Sequence, residues 1–276
     1  MNAQPQAVNA RTPSARPLRR DDEAGIAILT LDRPDARNAL SDALIDALSS
    51  ELDDIATDPE IRVVVISAEG PAFSAGHDLK ELTARRHDPD RGHAYFQSLM
   101  ERCSAMMQRI VNLPQPVIAA AEGVATAAGC QLVASCDLAV AGEGARFATP
   151  GVNIGLFCST PMVALSRNVS NKHAMEMLLL GDMMSASEAA RIGLVNRVVP
   201  AGEGLAEAMR MAKTIASKSP LTVKVGKRAF YAQREMPLAQ AYAYAAGVMA
   251  DNMMARDAAE GIGAFIEKRP PSWSGS

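Results

Sequence analysis

The 276-residue chain has no marked excess of charge of either sign: 28 Lys and Arg stand against 31 Asp and Glu, a formal net charge of −3. No overall positive field therefore favours nucleic acid over other partners, although basic residues can still gather locally around a phosphate. No apolar run approaches the length needed to span a bilayer, and the N-terminus lacks the apolar segment of a secretory signal. The expectation is a soluble, cytoplasmic chain with no membrane partner. Cysteine is scarce too. Cys103, Cys130, Cys136 and Cys158 make no C-x-x-C pair and have no histidine at zinc-ligand spacing, so no metal site is expected and the thiols read as reduced and buried.

What is present is a globular composition, 48% hydrophobic, in a chain long enough to bury a large core. Residues 1–20 carry Arg11, Arg16, Arg19 and Arg20 with no acid, a composition shared with organelle transit peptides. Pro5, Pro13 and Pro17 oppose a helix there, and the segment reads as a disordered tail before a core over 21–200 and a helical region over 201–276.

Along the core, Gly25 to Leu31 reads as a strand. Ser41 to Ala56 reads as a helix, with Ser41 as N-cap and an apolar stripe of Leu44, Ile45, Leu48, Leu52 and Ile55. Arg62 to Ser67 is a β-branched run of the kind covered on both faces. A helix over His93 to Leu113, a strand over Pro116 to Ala121, a helix ending near Cys136 and a strand over Asp137 to Ala141 follow. This alternation predicts an α/β fold with right-handed crossovers and largely parallel strands. After Ala148 the pattern turns helical, at 171–180, 187–192, 205–217, 221–234, 238–255 and 257–266, with Met- and Ala-rich faces that predict packing onto another subunit.

Two loops carry the chemistry: Ala72-Phe73-Ser74-Ala75-Gly76-His77-Asp78-Leu79 and Ala125-Thr126-Ala127-Ala128-Gly129-Cys130-Gln131-Leu132. Each follows a strand-like run, is built from small residues and leads into a helix. Small side chains let a carbonyl approach the main chain, and a helix start offers unpaired N–H donors and a positive dipole end. Two such donors on one oxygen make an oxyanion hole.

In this order and spacing, with Arg33-Pro34, Asn38-Ala39-Leu40, Leu180-Gly181-Asp182, Ser185-Ala186-Ser187-Glu188-Ala189, Ala189-Ala190-Arg191-Ile192-Gly193-Leu194-Val195 and the ending Ala264-Phe265-Ile266-Glu267-Lys268-Arg269, the chain resembles the crotonase superfamily, also called the enoyl-CoA hydratase/isomerase family. The resemblance implies a crotonase-like spiral of stacked ββα turns with a helical C-terminal oligomerisation region, a homotrimer or dimer of trimers, and an acyl-CoA thioester as substrate. No cofactor is held permanently; coenzyme A arrives with the substrate. It places the oxyanion-hole amides on His77 and Ala128, and coenzyme A contacts on Arg37, Ala75, Leu79, Lys80, Phe265 and Lys268, the last two reaching a neighbouring subunit.

The two glutamates that handle water and protons in hydratases of this family should stand at 131 and 151, where this chain has Gln131 and Gly151. In this it resembles the enoyl-CoA hydratase domain-containing branch. An amide cannot return a proton as a carboxylate does, and each general acid or base contributes about 10² to 10⁴ in rate, so two-glutamate hydration is not expected. A carboxylate used elsewhere in the family maps onto Ser159, next to Cys158. Ser159 or Cys158 reads either as a nucleophile or water holder, or as a packing residue or cap ahead of Pro161. The His77 ring reads either as a base or as a packing group behind a working amide. Asp78 reads as a helix cap, and Glu81 and Glu122 as surface residues. The functional alternatives are an acyl-CoA enzyme (isomerase, thioester hydrolase or decarboxylase), a non-catalytic acyl-CoA-binding or scaffold subunit, and a weak hydratase with Gln131 orienting water.

Overall fold

In the computed structural model, which describes residues 16–276, the chain opens with β1 (Leu18–Glu23) and β2 (Ile26–Leu31), an antiparallel pair. Helix α1 (Asp42–Thr57) starts where expected: Ser41 Oγ accepts the Leu44 N–H at 3.3 Å, and the predicted five-residue stripe is buried.

Three turns of a β-β-α spiral follow. The first is β3 (Val63–Ala68), β4 (Ala72–Ser74), α2 (Leu79–Arg85) and α3 (His93–Asn112). The second is β5 (Val117–Ala121), β6 (Val124–Thr126) and α4 (Ala128–Ser135). The third is β7 (Leu138–Gly142) and β8 (Arg146–Ala148), then α5 (Pro161–Leu165) and α6 (Asn171–Leu180). Next come β9 (Met184–Ser185), α7 (Ala186–Arg191), β10 (Arg197–Val199), α8 (Gly204–Ala216), α9 (Pro220–Arg234), α10 (Leu238–Met253) and α11 (Arg256–Glu267).

Each turn gives its first strand to a six-stranded sheet, order β1-β2-β3-β5-β7-β10, and its second to a four-stranded sheet, order β4-β6-β8-β9. The pairings β3 with β5, β5 with β7, β4 with β6 and β6 with β8 are all parallel, as the crossovers require. The large sheet is covered on both faces. Leu44, Leu48, Leu99 and Met106 belong to the core on one side, and Ala208, Met209 and Ala212 of α8 pack with Val63, Val65 and Ile118 on the other. Two buried faces explain the unbroken Val63-Val64-Val65-Ile66 run.

The helices expected from periodicity are present within two residues at most ends, and 171–180 is matched at both. One boundary is corrected. Leu18, Arg19 and Arg20, read as the end of the tail, belong to β1. Leu18 is buried, Arg19 pairs with Glu69 at 2.8 Å, and Arg20 pairs with Asp22 at 2.9 Å, so these residues are sheet rather than solvated chain. Residues 1–15 of the expected tail lie outside the described residues.

Candidate functional site

Because β4 and β6 are neighbours, the segments leaving their C-terminal ends lie side by side. The first is held by Arg33 to Leu40. Asn38, fully buried, donates through Nδ2 to the carbonyls of Ala72 (2.7 Å) and Glu69 (2.8 Å), and its Oδ1 accepts the Arg33 N–H (2.7 Å). Ser74 Oγ donates to the Asn38 carbonyl, Ala75 N–H to the Arg37 carbonyl, and Leu40 N–H to the Gly76 carbonyl. The sequence motif contained Asn38, but its role as the clamp on this loop comes from contacts more than thirty residues apart.

The second segment presses against the first. A β-carbon on Gly129 would lie 2.2 Å from the Ser74 carbonyl oxygen, so the first turn of α4 rides on β4. A β-carbon on Gly76, which has φ +91°, would lie 2.9 Å from the Ala127 β-carbon and 3.4 Å from the Ala128 nitrogen. Ala127 adopts φ 49° and ψ −118°, a region costly to a residue with a β-carbon.

Neither the His77 N–H nor the Ala128 N–H donates a hydrogen bond among the described residues. Leu40 bridges His77 through the carbonyl of Gly76 and the N–H of Asp78, which leaves the His77 amide turned away from that contact. Ala128 opens α4, where an N–H has no partner within the helix. Two unpaired main-chain donors thus sit on touching loops.

Three polar side chains nearby are also unsatisfied. Both His77 ring nitrogens are buried without a hydrogen-bond partner among the described residues, as are Gln131 Oε1 and Thr149 Oγ1. Burial pushes the His77 imidazole below its ordinary value, against a smaller opposing effect of the Leu40 backbone and the Asp42 charge. Gln131 follows Ala128 by three residues on α4 and so shares its face. Thr149 was not singled out in the sequence; it follows β8, whose Ala148 carbonyl accepts the Ala127 N–H at 2.9 Å.

Gly151 is buried in a tight turn. A β-carbon there would meet the Leu156 carbonyl oxygen at 2.7 Å and the Cys158 Sγ at 2.9 Å. All four cysteines are free and buried. Burial raises the Cys158 thiol and pushes Cys130 up to about 12, so both are neutral thiols near pH 7. Ser159 is exposed, and its Oγ donates to the Phe157 carbonyl at 3.3 Å; no histidine or carboxylate bonds to it among the described residues. Thr160 is the residue before α5, with Pro161 at the first helical position, and makes no side-chain cap.

The expected coenzyme A contacts fall into two groups. Arg37 is joined to Ala75 by a 3.0 Å backbone bond, and Leu79 and Lys80 line a shallow cavity of about 480 Å³ with Thr83, Ala84 and His87. Phe265 and Lys268 lie at the end of α11, which packs on α9 and α10, and Phe265 is 84% exposed. Asp78 does cap α2, its Oδ1 accepting the Lys80 N–H at 3.1 Å. Glu81 and Glu122 are anchors rather than plain surface: Glu81 accepts the Asp42 N–H, and Glu122 accepts the N–H groups of Gly202 and Gly204. Among the described residues no helix is long and apolar enough to cross a membrane.

Known proteins are similar to this chain in sequence and fold. Residues 21–276 match the family described as Enoyl-CoA hydratase/isomerase. The rat protein named enoyl-CoA hydratase domain-containing protein 3, mitochondrial, is 50% identical over 250 residues, covering 91% of this chain and 82% of its own. The crystal structure of an enoyl-CoA hydratase from Mycobacterium smegmatis is 51% identical with a TM-score of 0.89, covering 93% of this chain and 98% of that one. The crystal structure of human enoyl-CoA hydratase domain-containing protein 3 is 49% identical with the same TM-score, covering 94% and 100%. With matches of this extent, in sequence from residue 21 to the end and in fold across both sheets, the chain belongs to the enoyl-CoA hydratase/isomerase family.

Proposed function

We propose that this protein acts on acyl-CoA thioesters by holding the thioester oxygen between the amides of His77 and Ala128. The observation that carries the reading is that these two N–H groups are unpaired on loops close enough for Gly76 to tolerate no side chain. Any reaction that forms an enolate or a tetrahedral intermediate beside a thioester places negative charge on that oxygen, and one such donor is worth about a hundredfold to a thousandfold in rate. The surrounding groups select the reaction. Gln131, Gly151 and two neutral thiols supply no carboxylate, which disfavours two-glutamate hydration and favours chemistry needing no strong base, such as decarboxylation, or isomerisation or thioester hydrolysis with a proton carrier outside this set.

Coenzyme A is taken up along Arg37, Ala75, Leu79 and Lys80 in this reading. Phe265 and Lys268 complete the site of a neighbouring subunit, since they project from α11 beside exposed Ile262 and Ile266. The apolar residues Leu238, Tyr242, Met249 and Met254 on and just after α10, all exposed in the single chain, support a homotrimer or dimer of trimers. The relatives named as mitochondrial, together with the acid-free arginines of residues 1–20, support organellar delivery over a cytoplasmic location. Imaging a fusion that carries residues 1–20 would decide that point.

The filled space at Gly151 favours one second reading, a non-catalytic acyl-CoA-binding subunit. A panel of enoyl-, malonyl-type and saturated acyl-CoA substrates followed by mass spectrometry separates the two. Conversion of any thioester above background supports the enzyme; binding without conversion supports the subunit; absence of both removes the shared premise.

A further inference from the structure

The candidate site lies on the segments that leave the C-terminal ends of β4 and β6. A separate cavity of about 490 Å³, sharing no residue with it, is bounded by the turn after α1, the residues before β3 and β5, the start of α9 and the segment 273–275. Its volume is in the range of small-molecule sites.

The lining has two parts. Ile215, Leu221 and the Trp273 indole form an apolar wall. Arg62, Lys218 and Lys224 bring three positive charges, and none pairs with a carboxylate among the described residues. Asp58, the one acid in the lining, lies 3.3 Å from Arg20, which it shares with Asp22 and Glu51, so the lining holds three cations against one carboxylate. The cavity is held open by the chain end. Trp273 Nε1 donates to the Ser217 carbonyl at 2.9 Å, and the N–H groups of Ser274 and Gly275 donate to Asp257, whose own N–H donates to the Ser276 carbonyl. That strap fixes one wall before any ligand arrives, which lowers the ordering cost of binding.

We propose that this cavity is a second binding site, for a small amphiphile with an anionic head and an apolar body. Arg62 donates to the Ala216 carbonyl at 3.1 Å and keeps its charge at the cavity. A neutral lipid would leave the three cations with Asp58 alone to balance them, and a bare inorganic anion would leave the indole and aliphatic wall in water. A ligand with both parts satisfies both halves of the lining. The inference stands apart from the acyl-CoA reading, because none of these residues belongs to the two loops.

Trp273 is the only tryptophan in the chain, so its selectively excited emission reports on this cavity directly. The full-length protein is titrated with octanoate, octyl phosphate, octanol and inorganic phosphate. A saturable change in Trp273 emission is expected for octanoate or octyl phosphate, and which of the two binds tighter identifies the head group. Octanol should need about tenfold more and inorganic phosphate should give no change, since a charge-assisted hydrogen bond is worth about a tenfold factor or more. The double variant Lys218→Glu, Lys224→Glu, at two exposed positions, should weaken the anion by at least about tenfold, while octanoyl-CoA binding measured by calorimetry stays as in the parent. The proposal is overturned if neither anion gives saturation, if octanol matches octanoate, or if the double variant binds unchanged. Loss of octanoyl-CoA binding in the parent protein would instead count against the acyl-CoA reading alone.

Discussion

The sulfur of Cys158 stands 2.9 Å from the point where a β-carbon on Gly151 would begin. The Leu156 carbonyl oxygen lies 2.7 Å from the same point. The space that a longer side chain at position 151 would need is therefore already occupied, so a carboxylate is not introduced there by changing one residue.

Gly151→Glu, alone or with Gln131→Glu, is expected to destabilise the protein without conferring efficient hydration. Overpacking of this kind costs about 1–3 kcal/mol, a fall of roughly 2–8 °C in melting temperature. Cys158→Ala added to Gly151→Glu relieves the sulfur contact but not the Leu156 one, and recovers only part of the loss. Thermal melts and a crotonyl-CoA hydration assay check this; a stable double glutamate variant with strong hydratase activity would contradict it.

Ala127→Gly should stabilise. At φ 49° and ψ −118° a β-carbon costs about 1–3 kcal/mol, whereas glycine's extra unfolded-state freedom costs roughly 0.5–1 kcal/mol. A net gain of about 1 kcal/mol is expected in urea unfolding, with acyl-CoA binding retained because the Ala128 N–H keeps its direction. A loss of stability would mean that the surrounding loops, not this residue, bear the strain.

The pH dependence follows from His77. Its pKa is lowered by burial in the folded state, so the unfolded chain binds the proton more readily. Stability is complete above the unfolded value of about 6.5 and falls as pH drops from there toward the folded value, with a slope of at most about 1.4 kcal/mol per pH unit. His77→Asn removes this component while keeping the backbone N–H. Urea unfolding between pH 5 and 7.5 measures the difference. In the same variant, turnover within a few fold of the parent assigns the work to the amide, and a loss of a hundredfold or more would assign it to the ring.

How much of this was legible beforehand depends on the range of the interaction. The stripe from Leu44 to Ile55 and the run from Val63 to Ile66 are local patterns, each long enough to show its period, and they fixed the elements that carry the sheet. The strands Ala72–Ser74, Val124–Thr126 and Arg146–Ala148 are each three residues long, too short for a period to emerge. Ala72 to Ser74 and Ala125 to Thr126 fall inside the two stretches of small residues and read as parts of loops. The positions of His77, Ala128, Gln131 and Gly151 came from resemblance, while the Asn38 clamp, the unpaired Thr149 hydroxyl and the Gly151–Cys158 contact arise between segments that only the spiral brings together. The β1 residues were hidden for another reason. Arginine beside proline looks like solvated tail until Glu69, Asp22 and Asp58 appear opposite it.

The Lys227 side chain of α9 is 6% exposed, and its Nζ donates to Asp137 Oδ2 at 2.7 Å and to the carbonyls of Ile110 and Gln115 at 3.0 Å each, while Tyr231 donates to Asp137 Oδ1 at 2.9 Å. Asp137 also accepts the N–H of Val117, the first residue of β5, so one carboxylate ties the C-terminal helices to the spiral beneath them. Lys227→Met leaves that carboxylate without its cation and is expected to cost about 3–5 kcal/mol. Adding Asp137→Asn removes the uncompensated charge; the amide oxygen can still accept the Val117 N–H, and the NH2 group meets the Tyr231 hydroxyl, which can accept as well as donate, so the double variant should be more stable than Lys227→Met alone. In the homotrimer or dimer of trimers proposed above, α9 supports α10 and α11, so the single variant should also shift the protein toward smaller assemblies in sedimentation velocity. Equal stability of the single and double variants would mean that lost packing, rather than an orphaned charge, sets the cost.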